Sequence, residues 1–437
     1  MFETIVALAT PMVKSALGII RISGDDCFKI VSKIFSKNIE GVKEKGIHYG
    51  YILDGSKEID QVVLLDYVAP HSFTGENSVE IICHGSVLIE KQIIQLLLDS
   101  GARMATNGEF SSRAYLNGKI DLVQAEAIND MINSLTEEAK DLSMLALKGE
   151  NSKLFKPIKE QISEILSSIE VNIDYPEYED IEEVSKEKVI NVCSKIVDDL
   201  KDLISQGEKD LIYKEGINVA IVGEPNVGKS SLLNALLNED KAIVTPIAGT
   251  TRDIVEGEYS LNGVPLHLLD TAGLHNSNDL VEKIGIDKAK EAIEKSDLVI
   301  FLVDERKMDD ELYSLIKDKK HIIVHNKADL IKDKKQNEIY ISASNKDIKP
   351  LLNKMKEVLD IGDIRPHPSF NNARQLALLK NMVNNLNIAI KDAKDDQPID
   401  LISTSILIAY NSALDLLGEN TKNDLTEEIF SRFCVGK

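Results

Sequence analysis

Residues 216–231 read "GINVAIVGEPNVGKSS", an apolar run that ends in a glycine-containing loop and opens into "SLLNALL" (231–237). Gly223 to Ser230 fit G-x-x-x-x-G-K-[ST], the phosphate-loop pattern, with a strand expected before it and a helix after it. Backbone N–H groups and a helix N-terminus can cradle phosphates there. Lys229 would neutralise β/γ-phosphate charge and Ser230 would hold Mg²⁺. A strand–loop–helix unit of this kind predicts an α/β domain.

Further segments follow in the order that a guanine-nucleotide site needs. "TPIAGTTRD" (Thr245 to Asp253) supplies a switch loop with Thr250 and Thr251. "DTAG" (Asp270 to Gly273) follows an apolar strand, where Asp270 can hold the Mg²⁺ shell and a glycine amide can meet the γ-phosphate. "NKAD" (Asn326 to Asp329) follows "HIIVH". The Asp329 carboxylate can accept both guanine N1–H and N2–H, a pair that adenine lacks, while Lys327 covers the base. "SAS" (Ser342 to Ser344) offers a backbone amide to guanine O6. The expected GTP-binding residues are therefore Asn226, Val227, Gly228, Lys229, Ser230 and Ser231; Thr245, Pro246, Ile247, Ala248, Gly249, Thr250 and Thr251; Asp270, Thr271, Ala272 and Gly273; Asn326, Lys327, Asp329, Ser342, Ala343 and Ser344. Together they resemble a Ras-like GTPase domain. Leu274 stands where many such enzymes carry a water-orienting Gln, so charge stabilisation must come from elsewhere. The Asn226 side-chain oxygen and carbonyls of the 245–253 loop could cage a monovalent cation that performs this work.

The rest of the chain bounds the setting. Its 437 residues exceed one core and predict several domains. Hydrophobic residues make up 43% and charged residues 28%, as in ordinary soluble proteins. No apolar run approaches the roughly 18 residues of a membrane span, and the start lacks the basic region of a signal peptide. Four scattered cysteines without CxxC predict a reduced, cytoplasmic protein. His321 and His325 would make a metal pair on a helix, but "HIIVH" reads as a strand, which separates them by about 13 Å. A net charge of −21 argues against nucleic-acid binding by a broad basic surface. Any RNA contact must be a local patch, a small single-stranded target, or a partner's work. The acidic run "DYPEYEDIEE" (Asp174 to Glu183) reads as a solvated connector.

Periodicity divides the chain. Residues 1–118 mix short strands ("ALGIIRIS", "QVVLLDYV", "SVEIICHG") with a helix stopped by Gly101, an α+β domain. Residues 119–215 carry helical stripes: one from Leu122 to Leu142, one from Ile158 to Ile169, one from Val189 to Leu203. Residues 216–362 hold the GTPase motifs. Residues 363–437 return to helical spacing and end in "CVGK". The simplest reading is an α/β domain inserted into a helical domain whose halves pack together.

With "GIIRISG", "FTGENSVEIICHGS", "GEFSSRAYLNGKIDLVQAEAI", "NIDYPEYEDIEE", "EKIGI" and "FSRFCVGK" added to the GTPase set, nearly the whole chain resembles the MnmE (TrmE) family of tRNA-modification GTPases. The resemblance implies modification of carbon 5 of the wobble uridine (position 34) of certain tRNAs, with an FAD- and NADH-using MnmG-like partner and a one-carbon unit from a reduced folate such as 5-formyltetrahydrofolate. It implies a homodimer formed through the N-terminal domain. The folate pocket would match Arg21, Glu80, Lys119 and the terminal Lys437. Potassium would fall to Asn226, Thr245, Ile247 and Thr250, magnesium to Ser230 and Thr251, and the water-orienting carboxylate to Glu282. The chain departs from the family at Thr10 to Gly18, at "LHNSND" (Leu274 to Asp279) and at "SASNKDI", where glycines or a basic residue are missing.

The last residues, "RFCVGK", pose a separate question. A prenylation signal is a poor match because Val, Gly and Lys follow Cys434. The tail is expected to fold back onto the folate region, with Gly436 permitting a tight path and Cys434 near the one-carbon chemistry as nucleophile or packing group. Two rival functions stay open at this level: a regulatory or ribosome-assembly GTPase switch without modification chemistry, and a GTP-regulated folate enzyme acting on a small molecule.

Overall fold

The computed structural model describes residues 3–174, 185–224, 226–237, 242–243, 257–270, 290–304, 310–331, 334–362, 366–420 and 428–436. The acidic run beyond residue 174 lies outside them. The chain forms two compact units: residues 1–129, 146–167 and 404–437 in one, and 130–145 and 168–403 in the other. The two units share out the helical segments between them.

The first unit is built on a six-stranded sheet in the order β3-β4-β5-β2-β1-β6. Its strands are β1 (Ile5–Leu8), β2 (Leu17–Ser23), β3 (Gly46–Asp54), β4 (Lys57–Tyr67), β5 (Ser78–His84) and β6 (Arg103–Met104). Only β1–β6 is parallel. Alternation puts Ile20, Ile22, Val62, Leu64, Val79 and Ile81 on one face, where they join helices α1 (Cys27–Ser32) and α2 (Val87–Asp99) in a single core. Helix α2 contributes Ile93, Ile94 and Leu97 and ends before Gly101, whose φ of +115° no β-carbon favours. Edge strand β3 keeps Ile47, Tyr49 and Tyr51 exposed. Helix α3 (Glu109–Leu116) follows the sheet.

Leu122 to Leu142 had been expected to form one stripe. They lie instead on two helices, α4 (Leu122–Asn133) and α5 (Glu137–Leu147). The break has a local cause: the Thr136 hydroxyl accepts the Ala139 N–H at 3.2 Å and starts a new helix. Helices α6 (Glu150–Asp174) and α7 (Lys186–Glu215) follow.

The second unit holds a seven-stranded sheet, β13-β12-β11-β7-β10-β9-β8. Strands β7 (Ile217–Gly223), β10 (Val264–Asp270), β11 (Leu298–Val303), β12 (His321–His325) and β13 (Ile339–Tyr340) run parallel, while β8 (Ala242–Ile243) and β9 (Gly257–Leu261) are antiparallel additions. Strand β7 lies between β10 and β11, so its C-terminal end is the point where the chain turns to opposite sides, the preferred ligand position in such sheets. Helices α8 (Lys229–Leu237), α9 (Asp310–Ile316) and α10 (Lys349–Leu359) accompany this sheet in sequence.

Helix α7 packs along α11 (Ala373–Lys394), joining segments from before and after the GTPase motifs. Lys380 and Glu208 pair across them at 2.7 Å. Gly207 lets the Phe370 carbonyl approach so closely that an added Cβ would stand 2.2 Å from its oxygen. Helix α12 (Ile399–Leu417) is long and apolar enough to cross a membrane by length and composition alone, the one such helix among the described residues. Its Ile402, Ile406, Ala409, Ala413 and Leu416 are fully buried along one face, while Leu401, Leu407 and Ile408 are exposed.

Gly207→Ala forces either Phe370 or the helix to shift. It should destabilise the protein by about 1–3 kcal/mol, read as a lower urea midpoint with an unchanged slope.

Candidate functional site

Strand β7 supplies a buried platform, Val219 to Val222, from which the loop at Gly223 emerges. Asn226 takes φ +65° and Gly228 φ +102°, so the loop turns back before α8 begins at Lys229. That curl aims successive N–H groups inward, the geometry of an anion nest at a helix N-terminus. The Lys229 ammonium donates to the Gly223 and Glu224 carbonyls, each at 2.9 Å. Ser230 and Ser231 lie exposed on the first turn of α8.

Asn326, almost fully buried at the end of β12, ties this loop to the base-binding side. Its Nδ2 donates to the Val227 carbonyl at 2.8 Å, and its Oδ1 accepts the Ala343 N–H at 3.1 Å. Lys327, at φ +58°, donates from Nζ to the Asn226 carbonyl at 2.9 Å and lies 3.5 Å from Asp304. Asp329 is exposed and accepts the Ser342 hydroxyl at 2.6 Å. That hydrogen bond holds the carboxyl below its usual range, as a charged acceptor. Ser344 approaches Ser342 at 3.4 Å. Phosphate loop, NKAD and SAS thus converge on one edge of the sheet. The residues present suit Mg²⁺ and a monovalent cation in donor chemistry: the hydroxyl of Ser230 and the side-chain amide oxygen of Asn226 are hard oxygen ligands. Residues 245–251, 271–273 and 274–279, Glu282 and Lys437, and the side chain of Asp270, lie outside the described residues.

His321 and His325 occupy the two ends of strand β12. His325 stacks on Tyr340 with ring centroids 4.9 Å apart and meets Glu338 at 3.1 Å. Among the described residues no cluster of His, Cys, Asp and Glu could hold a metal ion.

A second polar cluster lies in the first unit. Arg21 on β2 stands opposite Glu80 on β5 and pairs with it at 2.8 Å. Its Nη1 donates to the Gly436 carbonyl at 3.0 Å, and its guanidinium lies 5.7 Å from the Phe110 ring centroid and 6.0 Å from that of Phe73. The C-terminal tail is fastened there. Val435 bridges to Asn107, and the Gly108 N–H donates to the Cys434 carbonyl at 3.4 Å. Gly436, at φ +90°, passes close to the Leu8 carbonyl. Cys434 is exposed. Burial pushes the other thiols up, Cys27 well above the usual range, Cys83 to about 11 and Cys193 to about 12. Lys119 donates to the Pro70 carbonyl at 2.9 Å.

The sequence reading missed the buried core of this cluster. Arg113, at 2% side-chain exposure, binds Glu76 at 3.1 Å, Glu109 at 2.8 Å and the Glu3 carbonyl at 2.8 Å. Arg103 adds a 2.6 Å contact to Glu109. Burial alone would raise the Glu109 carboxyl, but hydrogen bonds from Arg103, the Thr106 N–H and Arg113 outweigh it and hold it at about 2. Glu76 and Glu109 sit inside the quoted "FTGENS" and "GEFSSR" stretches; Glu109 lies four residues before Arg113, a spacing that lets the two meet on one helix, but nothing local signals that Glu76 joins them.

Because the folded state lowers this carboxyl from 4.5 to about 2, its stabilisation is full above the unfolded value and is lost as pH falls through that window. Glu109→Gln should lower the melting temperature at pH 7 and narrow the gap between variant and parent on acidification to pH 2. Parallel melting curves at all pH values would refute this.

The comparisons agree over the whole chain. A family described as "MnmE helical domain" matches residues 122–434, and one described as "GTP-binding protein TrmE N-terminus" matches residues 4–119. The curated tRNA modification GTPase MnmE of Mycoplasma mycoides subsp. mycoides SC is 40% identical over 450 residues, covering 100% of this chain and 99% of that protein. Its counterpart in Malacoplasma penetrans is 43% identical over 450 residues and covers 100% of each. That in Acetivibrio thermocellus is 40% identical over 456 residues, 100% of this chain and 99% of that protein. Matched from end to end in both its N-terminal and its helical parts, the chain belongs to the MnmE family of tRNA modification GTPases.

Proposed function

We propose that this protein hydrolyses GTP in a potassium-dependent cycle whose domain movements serve modification of carbon 5 of the wobble uridine, position 34, of certain tRNAs. A reduced folate such as 5-formyltetrahydrofolate supplies the one-carbon unit, and an FAD- and NADH-using MnmG-like subunit supplies the redox step. The observation that carries this reading beyond a bare GTPase is Arg21, held at once by Glu80 and by the Gly436 carbonyl. A nucleotide switch has no use for an arginine bound to its own C-terminal tail beside two aromatic rings.

In the nucleotide site Asp329 selects guanine, Lys327 covers the base, and Ala343 offers its amide. Lys229 spreads positive charge over the β/γ-phosphates and Ser230 holds Mg²⁺ with Thr251. Potassium would be held by Asn226, Thr245, Ile247 and Thr250; it supplies charge stabilisation where Leu274 cannot orient water. Glu282 takes the water-orienting role. The left-handed backbone of Asn226, pinned by Lys327, supports its share of that assignment by fixing the side chain's base.

In the first unit Arg21, Glu80, Lys119 and Lys437 bind the folate, and Phe73 and Phe110 offer ring surface to a pterin. The exposed Ile47, Tyr49 and Tyr51 on edge strand β3 support homodimer formation through this unit. Four free cysteines suit a reducing cytoplasm.

Calorimetric titration of 5-formyltetrahydrofolate into the full-length protein should give saturable binding near one site per chain, lost in Arg21→Ala. No binding by a protein that still hydrolyses GTP would favour the regulatory-switch function. Cys434→Ser should lower wobble-uridine modification at least about tenfold, the scale of losing one positioned reactive group, with GTP hydrolysis within twofold of the parent by the same estimate. Equal loss of both activities, or of neither, would count against a role for this thiol in the transfer chemistry.

A further inference from the structure

The β9–β10 hairpin is the mechanical link between the two nucleotide-facing loops. Strand β9 begins at Gly257, just after the 245–253 loop, and β10 ends at Asp270, the first residue of DTAG. The two strands join through Asn262 at φ +49° and Gly263 at φ +85°, a two-residue turn that keeps Leu261 opposite Val264. A displacement of either loop therefore reaches this turn through a short, hydrogen-bonded ladder.

The turn is not left to solvent. Helix α5 lies on it: a Cβ at Gly263 would stand 2.3 Å from the Glu138 carboxyl carbon. Leu142, one helical turn further along α5, is buried in the same apolar cluster as Leu261 and Val264. The preceding helix is fastened to the same region, because Asp130 near the end of α4 pairs with Lys214 at 2.6 Å, both partners being mostly buried. Lys214 belongs to the last turn of α7, whose Glu215 carbonyl lies 3.0 Å from His267 Nε2 on β10. Gly216 passes so close to β10 that a Cβ would stand 2.7 Å from the Pro265 carbonyl. Residues 130–145 accordingly belong to the compact unit that contains the nucleotide site.

We propose that residues 130–145 form a clamp on the β9–β10 turn, through Glu138, Leu142 and the Asp130–Lys214 pair, that reports the state of the nucleotide loops to helices α4 and α5. This rests on reading residues 245–253 and 270–273 as the nucleotide-facing loops. Packed contacts of this kind shift between discrete arrangements rather than deforming smoothly. The ion pair sets which arrangement α4 shares with α7, and Glu138 senses the turn directly.

The test is hydrogen–deuterium exchange on the full-length protein, saturated with GDP or with a non-hydrolysable GTP analogue. Amides of α5 should differ between the two states by about fivefold in exchange rate, a typical coupling. Lys214→Asp should abolish that difference, and Asp130→Lys combined with Lys214→Asp should restore it. Should Lys214→Asp fail to fold, Glu138→Ala replaces it, with the same loss expected. Exchange in 257–270 that changes with nucleotide while α5 does not would overturn the clamp, as would an α5 difference that survives Lys214→Asp or Glu138→Ala. No nucleotide effect on either segment, in protein that binds both nucleotides, also overturns it. Failure to bind guanine nucleotides at all would instead sink the loop assignment beneath it.

Discussion

The side-chain amide of Asn326 is the contact on which the nucleotide site depends. Its donor end holds the Val227 carbonyl of the phosphate loop and its acceptor end holds the Ala343 N–H of the SAS turn. The geometry is possible because β7, β11 and β12 are parallel neighbours, so their C-terminal ends reach the same edge of the sheet. An amide is needed because one group must donate and accept at once. The same contact explains Gly228: a Cβ there would stand 2.2 Å from Asn326 Nδ2. Being nearly fully buried, Asn326 cannot be replaced by an apolar residue without leaving two buried backbone groups unpaired. Val227 and Ala343, 116 positions apart in sequence, are therefore tied together through one side chain.

Lys327 extends that tie to the exposed rim. Its Nζ on the Asn226 carbonyl stabilises a residue in the left-handed region, where a non-glycine side chain is disfavoured. Local strain in the loop is thus compensated by a tertiary hydrogen bond, and Asp304 lies 3.5 Å from the same Nζ.

Much of this was legible in the sequence because it depends on local patterns. The strand–loop–helix around Gly223 to Ser230 follows from a run of apolar residues and two glycines. His321 and His325 lie at the two ends of a strand, as the apolar run between them suggested. The register that sets Arg21 opposite Glu80 was not legible, because pairing between β2 and β5 is a long-range choice. Nor was the break at Thr136, where one hydroxyl competes with a continuous apolar stripe and wins. The Arg113 network was hidden for a different reason. Its acceptors, the Glu76 and Glu109 carboxylates and the Glu3 carbonyl, come from three places in the chain, and only the folded backbone brings them around one buried guanidinium.

The tail shows how backbone and side chain can be given separate tasks. The Cys434 and Gly436 carbonyls are both engaged as acceptors, and Val435 pairs with Asn107. Phe430 and Phe433 anchor the approach by packing with Leu122 and Ala125. Four consecutive constraints therefore fix the path of the chain, yet the Cys434 side chain remains exposed. The three other thiols are buried and held protonated by desolvation. Among the four cysteines Cys434 alone is exposed, on a tail whose Gly436 carbonyl accepts from Arg21. Ordering these last residues costs conformational entropy, which is offset by the packing of Phe430 and Phe433 and by the backbone contacts of residues 434–436.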